Sequence, residues 1–299
     1  IRSDLDISGV VFTLGPRINA AGRVAHARGA VELLTAATDD EAMESAGRIN
    51  LKNDLRREFD LSITEEALAM ISTDERKQQA KTTVLFKSSW HKGVIGIVAA
   101  RCVERYYRPT VILTESNQKI TGSARSVSGF DLYRAIEQCS DLLEKFGGHK
   151  YAAGLTLDPI NLPAFEQRFE EVVAATITDE MLTPVVEIDL PVSFDMITPK
   201  FFNILKQMAP FGPENQRPVF ESRNVRVLNS LSSFKDRHIR FLATQDGETF
   251  FQAVGFDLVE YYDALAGGLP FNLAYTVEEN TFNGTTSIQL RVKDIKFEA

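Results

Sequence analysis

The sequence contains few cysteines and no long apolar run, and these two absences exclude several classes of protein. Its 299 residues include only Cys102 and Cys139, too few for a disulfide framework or for a paired-cysteine metal site. The longest stretch without charged or strongly polar residues in the first half, Gly93–Ala100, is far shorter than the roughly twenty residues that a membrane helix needs. We therefore expect a reduced, cytoplasmic protein with no membrane partner.

The chain also has fewer basic than acidic residues. The chain has 33 Lys and Arg against 41 Asp and Glu, a formal net charge of −8, so any nucleic-acid contact must come from local basic patches. Two such patches exist. Residues 81–125 carry eight Lys and Arg against two acids, and residues 217–240 carry six against two. The first patch predicts a local anion site, because phosphate groups are the usual ligands of clustered basic side chains.

The residues that would drive hydrolysis are missing as well. The four histidines (His26, His91, His149 and His238) are dispersed, and neither a P-loop nor a GxSxG sequence occurs. We expect no catalytic residue and no metal ligand in this chain. The pattern predicts phosphate binding without its own hydrolytic centre.

The order of predicted elements divides the chain into three parts. Residues 1–75 form a connector and a long helix, which begins at a capping box, Thr38–Glu41. An apolar stripe then recurs at every fourth position: Leu51, Leu55, Phe59, Ile63, Ala67 and Ile71. At about 1.5 Å per residue such a helix is long enough to join two domains. The turn-rich segment Pro16–Arg23 precedes it.

Residues 76–183 alternate between strand and helix patterns, which predicts an α/β domain. The strands are expected at 82–86, 109–114, 119–125 and 152–157, and the helices at 94–106, 131–146 and 162–175. A short helix at 198–208 opens the last part, residues 184–299. This part is rich in β-branched and aromatic residues, with hairpin turns at Lys235-Asp236, Asp246-Gly247 and Asn283-Gly284. It predicts a small barrel of the OB type.

Three short motifs of the α/β part lie at strand ends, where such sheets bind ligands. Ser123, Arg125 and Ser126 end one strand, and an arginine can grip phosphate oxygens in bidentate fashion. His91 precedes a helix N-terminus, which attracts anions. Gly147, Gly148 and His149 follow the helix predicted at 131–146. Taken singly, each motif also fits a structural role: a β-turn, a packed loop, and a helix C-cap, which for the glycine pair is the favoured interpretation. Their shared location favours one anion site.

Arg17, Asn19 and Arg23 lie in the turn-rich segment before the long helix. They fit either the start of a helix or an arm that orients a phosphate. In the barrel part, basic and aromatic residues alternate, as in proteins that grip single strands by backbone charge and base stacking. We expect Phe220 and Phe241 in the core, Phe234 exposed on a loop, and a DNA-binding set of Arg217, Phe234, Lys235, Arg237 and Arg240.

Five segments follow one another in a familiar order: FTLGPRINAAGR, WHKGVIGIVAARCVERYYRP, GSARS, FGGHKYAAG and APFGPENQRPVF. The chain resembles the RecJ family of single-strand-specific exonucleases, within the DHH phosphoesterase superfamily. The resemblance implies an α/β domain of the DHH-associated type, preceded by a long connecting helix and followed by an all-β OB-fold barrel. The family's usual Gly-x-Gly-Asn-Pro appears here as Gly212–Pro218, at the start of the barrel part.

The resemblance also implies an activity: 5′-to-3′ degradation of single-stranded DNA in recombination and repair, with Mn²⁺ or Mg²⁺. The metal ions would be held by a catalytic DHH domain before Ile1, so we expect a fragment that is inactive alone and holds no cofactor itself. By motif, Arg17 would approach the active-site phosphate, and Ser123, Arg125 and Ser126 would hold the 5′ phosphate region. Gly147, Gly148 and His149 would line the same cleft.

Alternatives of other classes remain open at this point. The parent protein could be a DHH phosphodiesterase for short oligonucleotides or cyclic dinucleotides, although a basic barrel suits a long polymer better. The barrel could instead recruit a protein such as a single-strand-binding protein. Besides single-stranded DNA, the expected partners are a single-strand-binding protein and a helicase, and the chain is expected to be a monomer.

Overall fold

The structure, a computed structural model, describes residues 7–24, 26–212, 214–282 and 284–297. Two units can be distinguished, Ile1–Pro184 and Val185–Ala299, and each is described by itself. Among the helices of the described residues, none combines the length and the apolar character needed to cross a bilayer.

The first unit contains eight labelled helices and five strands among its described residues. The helices are α1 Ile7–Gly9, α2 Gly15–Val24, α3 Arg28–Leu34, α4 Asp39–Ser72, α5 Glu75–Gln79, α6 Ile95–Tyr106, α7 Leu132–Glu137 and α8 Leu162–Thr176. The strands are β1 Thr83–Phe86, β2 Thr110–Ser116, β3 Lys119–Arg125, β4 Lys145–His149 and β5 Ala152–Leu157. A π-helical stretch, Val10–Leu14, connects α1 to α2.

The long helix α4 starts as the sequence predicts. The hydroxyl of Thr38 accepts the backbone N–H of Glu41 at 3.3 Å, and the Glu41 carboxylate accepts the N–H of Ala37 at 3.0 Å. Two amides at the helix start, which have no intrahelical partner, are thereby satisfied. The acidic side chains of the first turn also complement the positive end of the helix dipole. The helix runs for 34 residues.

The predicted apolar stripe of α4 is correct only in its C-terminal half. Ile63 and Ala67 are buried and pack against α6, whereas Leu51 and Leu55 are 72% and 42% exposed. In the N-terminal half the buried apolar residue is Ile49, which packs with Ala21 of α2. The helix changes its buried side because it contacts different neighbours along its length. Its C-terminal half is thus part of the α/β core rather than a free strut.

The segment Pro16–Arg23 was predicted as a turn, and this prediction is wrong. It belongs to the helix α2, which starts with a glycine and a proline. Pro16 has no backbone N–H to donate, and it stands where the π-helical stretch Val10–Leu14 passes directly into α2. Ala20 and Ala21 are fully buried, so packing of small side chains outweighs the low helix propensity of the glycines.

The five strands of the first unit form one sheet in the order β1-β2-β3-β5-β4. Strands β1 and β2 are parallel, and the other neighbours are antiparallel. Alternate residues of β2 face opposite sides. Ile112 packs with α4 and α6, while Val111 and Leu113 pack with α7 and α8.

The helix predicted at 131–146 is a further correction. It ends at Glu137, and Lys145–His149 form the edge strand β4 instead. The C-cap interpretation of the two glycines is therefore wrong. Strand β5 supplies backbone partners for this glycine-containing segment, pairing Lys145 with Thr156 and His149 with Ala152. Such pairing is favoured over helix, in which two successive glycines are unfavourable.

The second unit has two α-helices, α9 Pro199–Gln207 and α10 Tyr262–Ala266, and seven strands among its described residues. The strands are β6 Leu190–Pro191, β7 Phe220–Val227, β8 Ser232–Phe234, β9 His238–Thr244, β10 Phe250–Gly255, β11 Phe271–Phe282 and β12 Thr285–Phe297. Their order is β6-β7-β11-β12-β10-β9-β8, and pairing between β7 and β9 closes the barrel.

The closed barrel confirms the predicted OB architecture. Phe220 and Phe241 are buried in its core, as the sequence predicts. Lys235 and Asp236 have positive φ values of 51° and 55° in the β8–β9 turn, and Gly247 has a φ of 84° in the β9–β10 turn. Asn283, the first residue of the third predicted turn, lies outside the described residues.

Candidate nucleic-acid interface

One face of the first sheet brings several of the predicted residues together. The register aligns Ser123, Gly154 and Gly147 across β3, β5 and β4, and it aligns Arg125, Ala152 and His149 in the next row. Residues in register on antiparallel strands point to the same side of a sheet. These six positions therefore share one face, which we call the shelf.

Small residues form the base of the shelf, which is open to solvent. Gly147 and Gly154 are exposed, and a Cβ added to Gly147 would meet nothing within 4 Å. The next row continues the face with Thr121, Thr156 and Lys145. A shallow cavity of about 330 Å³ lies here and is lined by residues of all three strands. A flat polar surface of this kind lets the backbone of a ligand approach closely.

The opposite face of the same strands belongs to the core. Ala124, Ala153 and Leu155 are buried there. Gly148 is in register with Ala153 on this face and has a φ of 152°, which side-chain-bearing residues rarely adopt. A Cβ at Gly148 would lie 2.3 Å from the carbonyl oxygen of Ala152, so this glycine shapes the β4–β5 hairpin and does not face the shelf.

Ser126 also has a structural role. Its hydroxyl donates to the carbonyl of Phe130 at 3.0 Å, and its backbone N–H donates to the carbonyl of Tyr151 at 3.1 Å. These bonds fix the chain immediately after β3. The hydroxyl proton is engaged locally, so Ser126 stabilises the end of the strand that carries Ser123 and Arg125.

Arg125 lies where the shelf meets α6. Its Nη1 donates to the carbonyl of Ala124 at 2.8 Å and to Ser123 Oγ at 3.4 Å. An ideal Cβ built on Gly96, in the first turn of α6, would lie 3.2 Å from Arg125 Nη2 and 2.8 Å from Ser123 Oγ. Burial lowers the pKa of Arg125, and the nearby charge of Arg23 lowers it further.

Arg23 and His91 lie beside the start of the same helix. Arg23 is exposed, and its Nη1 donates to the carbonyl of Gly93 at 3.2 Å. His91 accepts the N–H of Gly93 through Nδ1 at 3.1 Å, and its ring stacks on Phe59 with centroids 5.0 Å apart. Together with Arg125, they surround a helix N-terminus, whose free amides favour anions.

The remaining predicted residues of the first unit are not brought to this point. Arg17 is half-buried, donating from Nε to Asn50 Oδ1 at 2.8 Å and from Nη1 to the carbonyl of Thr13 at 2.7 Å, and so it ties α2 to α4. Asn19 is exposed on α2, and no contact among the described residues links it to Ser123 or Arg125. His149 is exposed at the end of the shelf, and its Nδ1 accepts the N–H of Tyr151 at 3.3 Å.

The sequence reasoning missed a charged group on α4. Arg56 and Asp60 are four residues apart on one face of this helix, and Asp60 also pairs with Arg101 of α6. The spacing of Arg56 and Asp60 was a usable signal, because side chains four residues apart on a helix are neighbours. It was overlooked because Leu51, Leu55 and Phe59 suggested a different buried face.

The barrel carries an aromatic cluster at the β8–β9 hairpin. The ring of Phe234 lies 4.9 Å from that of His238 and 6.0 Å from that of Phe256, measured between centroids. Phe234 is half-buried in β8, so the prediction of an exposed ring on a loop is wrong. The guanidinium of Arg291 lies 3.7 Å from the centroid of Phe256. His238, Phe256 and Arg291 were missed because they come from separate strands and turns.

The other predicted barrel residues are distributed around this cluster and beyond it. Lys235 and Arg240 are exposed, and Arg237 forms an ion pair with Asp257, next to Phe256. Arg217 stacks over Phe211 at 4.7 Å and lines a separate cavity beside α9. Among the described residues, no contact joins Arg217 to Phe234.

A metal centre is not found in the part of the chain that the structure describes. No group of three or more His, Cys, Asp or Glu side chains there is arranged to hold a metal ion. The described side chains therefore do not fit a divalent cation, and the chemistry they offer is anion binding and ring stacking.

Comparison with known domain families matches both units. The model of the DHHA1 domain matches residues 78–175, and that of the RecJ OB domain matches residues 188–294. The shelf and Arg125 lie within the region that matches the DHHA1 domain, and the aromatic cluster lies within the region that matches the RecJ OB domain.

Relatives that carry these domains are similar over nearly the whole chain. The single-stranded-DNA-specific exonuclease RecJ of Bacillus subtilis is 33% identical over 289 residues, which is 95% of this chain and 36% of the relative. RecJ of Escherichia coli is 30% identical over 97% of this chain and 52% of the relative. The chain thus spans about a third to a half of the curated relatives that it matches, in their C-terminal part.

Solved structures are similar to this chain in fold. The crystal structure of RecJ from Thermus thermophilus in complex with Mg²⁺ has a TM-score of 0.80 at 26% identity, covering 97% of this chain and 44% of that one. The corresponding complex with Mn²⁺ has a TM-score of 0.81 and covers 97% of this chain and 42% of that one. The OB barrel and the α/β region therefore have a RecJ-like fold.

Proposed function

We propose that this chain binds single-stranded DNA and positions it for a RecJ-type exonuclease that digests from 5′ to 3′ in recombination and repair. One observation carries the proposal: Ser123, Gly147 and Gly154 form an open shelf that ends at Arg125 and the start of α6. The names of the relatives support the substrate class, because each is a single-stranded-DNA-specific exonuclease.

The shelf suits the sugar–phosphate backbone of an extended strand. Arg125 can hold a phosphate in bidentate fashion, and Ser123 adds a hydroxyl from the same strand. Arg23, which donates to the carbonyl of Gly93 beside the start of α6, supplies a second guanidinium at the same end. The exposed His149 and Lys145 stand along β4, where further phosphates of the strand would pass.

The barrel supplies the second element of single-strand binding. Bases of an unpaired strand are free to stack on aromatic rings, and this contact works for any sequence. Phe256, covered by Arg291, offers such a ring beside the exposed cations Lys235 and Arg240. We propose this surface of the RecJ OB domain as the base-stacking region.

Metal-dependent hydrolysis is proposed to take place outside the described residues. Solved RecJ structures contain Mg²⁺ or Mn²⁺, but the described side chains of this chain do not form a fitting ligand set. We propose that a domain outside this chain binds the ions and that this chain alone does not hydrolyse DNA. We also propose a reducing cytoplasmic location, which the two free, buried cysteines support.

Fluorescence anisotropy across a salt series tests the proposal directly. The chain is titrated with a 5′-phosphorylated single strand of twenty nucleotides, with a duplex of equal length, and with a dinucleotide. We expect preference for the long single strand, and Arg125→Gln should reduce the slope of log K against log salt by about 0.7, which corresponds to one phosphate contact. Arg134→Gln is the matched control, because Arg134 is exposed on α7, which packs on the opposite face of the sheet.

Two outcomes would contradict the proposal. An unchanged salt slope for Arg125→Gln would remove the shelf from the DNA path. Equal affinity for the dinucleotide and the twenty-nucleotide strand would favour a phosphodiesterase of short oligonucleotides or cyclic dinucleotides as the parent protein.

A further inference from the structure

A buried carboxylate lies inside the first unit, between α4 and α6. Asp60 of α4 is only 2% exposed. It accepts two hydrogen bonds from Arg101 of α6, from Nε to Oδ1 at 2.8 Å and from Nη2 to Oδ2 at 3.0 Å. Arg56 Nη1 also donates to Oδ2, at 3.5 Å. A buried charge is costly unless it is paired, so Asp60 is fixed by the two guanidiniums and fixes them in turn.

The Arg56 guanidinium has a second hydrogen-bond partner on the same helix. Its Nη2 donates to Asn53 Oδ1 at 3.0 Å, and Asn53 is 1% exposed. Residues 53, 56 and 60 share one face of α4, since neighbours on a helix are three and four residues apart. The Arg56 side chain is 13% exposed, so its guanidinium is confined to one place before any ligand arrives. Such confinement reduces the entropy that binding would otherwise cost.

Contacts along α4 place Arg56 beside the anion site. Phe59, one turn further along, stacks on His91, and the loop after His91 receives a hydrogen bond from Arg23 to Gly93. The hydrogen bond from Arg23 to Gly93 and the stacking of Phe59 on His91 bring Arg23 and this part of α4 to the same loop. In agreement, the charge of Arg23 lowers the pKa of both Arg56 and Arg125, in each case after burial as the main cause.

Two cations of this site have no carboxylate partner in the part of the chain that the structure describes. Arg56 is paired with Asp60, whereas neither Arg23 nor Arg125 forms an ion pair with any described residue. Guanidiniums held close together repel one another, and an anion bound among them relieves this repulsion. If Arg56 and Asp60 formed only a fold-stabilising ion pair, this pair would not explain why Arg23 and Arg125 lack carboxylate partners.

We infer that Arg56 is a further phosphate-contacting residue of this site and that Asp60 and Asn53 are positioning residues that hold its guanidinium. The ligand class is a phosphodiester, and the inference rests on the proposed function. Asp60 does not touch the ligand. It acts through Arg56, and its own negative charge opposes anion binding at short range.

Because of this opposition, the direction in which Asp60→Asn changes the affinity for an anion distinguishes two roles of Asp60. If Asp60 acted only through its charge, Asp60→Asn would strengthen binding of an anion, because a nearby negative charge is removed. If Asp60 positions Arg56, the same substitution weakens binding despite the gain in positive charge. Asn53→Ala removes the second hydrogen-bond partner of Arg56 without changing any charge, so it should also weaken binding. It replaces Asp60→Asn in the test if that variant does not fold.

The test compares two adjacent arginines of α4 by anisotropy with the 5′-phosphorylated single strand. Arg56→Gln should lower affinity about tenfold and reduce the salt slope by about 0.7. Arg57→Gln is the matched control, because Arg57 is 57% exposed and contacts only Asp54, at 3.9 Å, among the described residues. It should leave both quantities unchanged. Circular dichroism and the unfolding temperature verify that each variant folds.

A second probe separates this inference from the proposed function. Inorganic pyrophosphate should raise the unfolding temperature of the unmodified chain and of Arg57→Gln but not that of Arg56→Gln. If DNA fails to bind while this pyrophosphate difference holds, the proposed function and the phosphodiester ligand are wrong, but Arg56 is still a phosphate-contacting residue. Equal responses of the Arg56 and Arg57 variants to both probes, or tighter binding by Asp60→Asn, would overturn the inference.

Discussion

Gly93 and Arg23 are in direct contact through their backbones: a Cβ added to Gly93 would lie 1.9 Å from the carbonyl oxygen of Arg23. The side chain of Arg23 returns to the same place, donating from Nη1 to the carbonyl of Gly93 at 3.2 Å. The end of α2 is thus fitted against the loop that starts α6. This fit determines where the Arg23 guanidinium stands relative to Arg125.

Gly93→Ala should therefore disturb both stability and binding. Backbone atoms cannot yield as a flexible side chain does, and overpacking of this kind costs about 1–3 kcal/mol. We expect a lower free energy of unfolding in urea and weaker binding of single-stranded DNA, because Arg23 is displaced. Gly47→Ala is the control. A Cβ there would meet nothing within 4 Å on α4, and replacing a helical glycine should stabilise the chain by up to about 1 kcal/mol. Equal stability of Gly93→Ala and the unmodified chain would contradict the described contact.

The sole tryptophan, Trp90, is hydrogen-bonded to the carboxylate of Glu66. Trp90 Nε1 donates to Glu66 Oε2 at 2.7 Å, and Lys87 Nζ donates to the same oxygen at 2.8 Å. The bond from Lys87, and then that from Trp90, lowers the pKa of Glu66 below its ordinary value of 4.5. The contribution of ionised Glu66 to the stability of the folded chain is thus complete above about pH 4.5. It is lost as the pH falls through the lowered pKa of Glu66.

Glu66→Gln tests this pH dependence. Urea unfolding followed by Trp90 fluorescence should show the variant to be less stable than the unmodified chain at pH 7, by less than about 1 kcal/mol, because the pair is partly exposed. The difference should shrink as the pH falls below about 4.5. Glu65→Gln, on the exposed side of α4, removes a carboxylate without touching Trp90 and should leave the native emission unchanged. A difference that is constant from pH 7 to pH 3 would argue against the described bonds.

The sequence predicted those elements in which local pattern and packing agree. Strand β3 and strand β5 were predicted with their observed limits, and the capping box placed the start of α4 correctly. In each of these, periodicity or capping is contained within a few residues. The closed barrel was also predictable, because turn residues such as Lys235 and Asp236 take the positive φ values that hairpins need.

The failures have a common physical cause: distant residues decided the outcome. Strand β4 exists because β5 pairs with it, and nothing within Lys145–His149 reveals that partner. The buried side of α4 changes where α2 replaces α6 as its neighbour. In the site, Ser123, Arg125 and His149 were predicted from their residue types. The contribution of Arg56 depends on Asp60 and on the neighbouring Arg23, and only the folded chain shows both.

Both cysteines should be unreactive in the native chain. Burial raises the pKa of Cys102 to about 12 and that of Cys139 to about 11, from an ordinary value of 9.0. The thiolate is the reactive form, so at pH 8 alkylation by iodoacetamide should be at least about a hundredfold slower in the native chain than in urea. Mass spectrometry of peptides measures each site separately. Because the folded chain favours the neutral thiols, their contribution to stability should be lost as the pH rises from about 9. Rapid labelling of Cys139 in native conditions would show that its surroundings open.

The aromatic cluster of the barrel allows stacking and charge to be separated. The Arg291 guanidinium covers Phe256 at 3.7 Å, so one residue supplies the ring and the other the cation. Phe256→Ala should weaken binding of a single strand by about 1–3 kcal/mol without changing the salt slope, because stacking involves no counterion release. Arg291→Gln should reduce the slope by about 0.7 if its guanidinium also reaches a phosphate. Ile204→Ala, an exposed apolar side chain on α9, controls for general loss of apolar surface. Unchanged affinity for Phe256→Ala would remove this surface from the DNA path and leave the shelf of the DHHA1 domain as the remaining binding region.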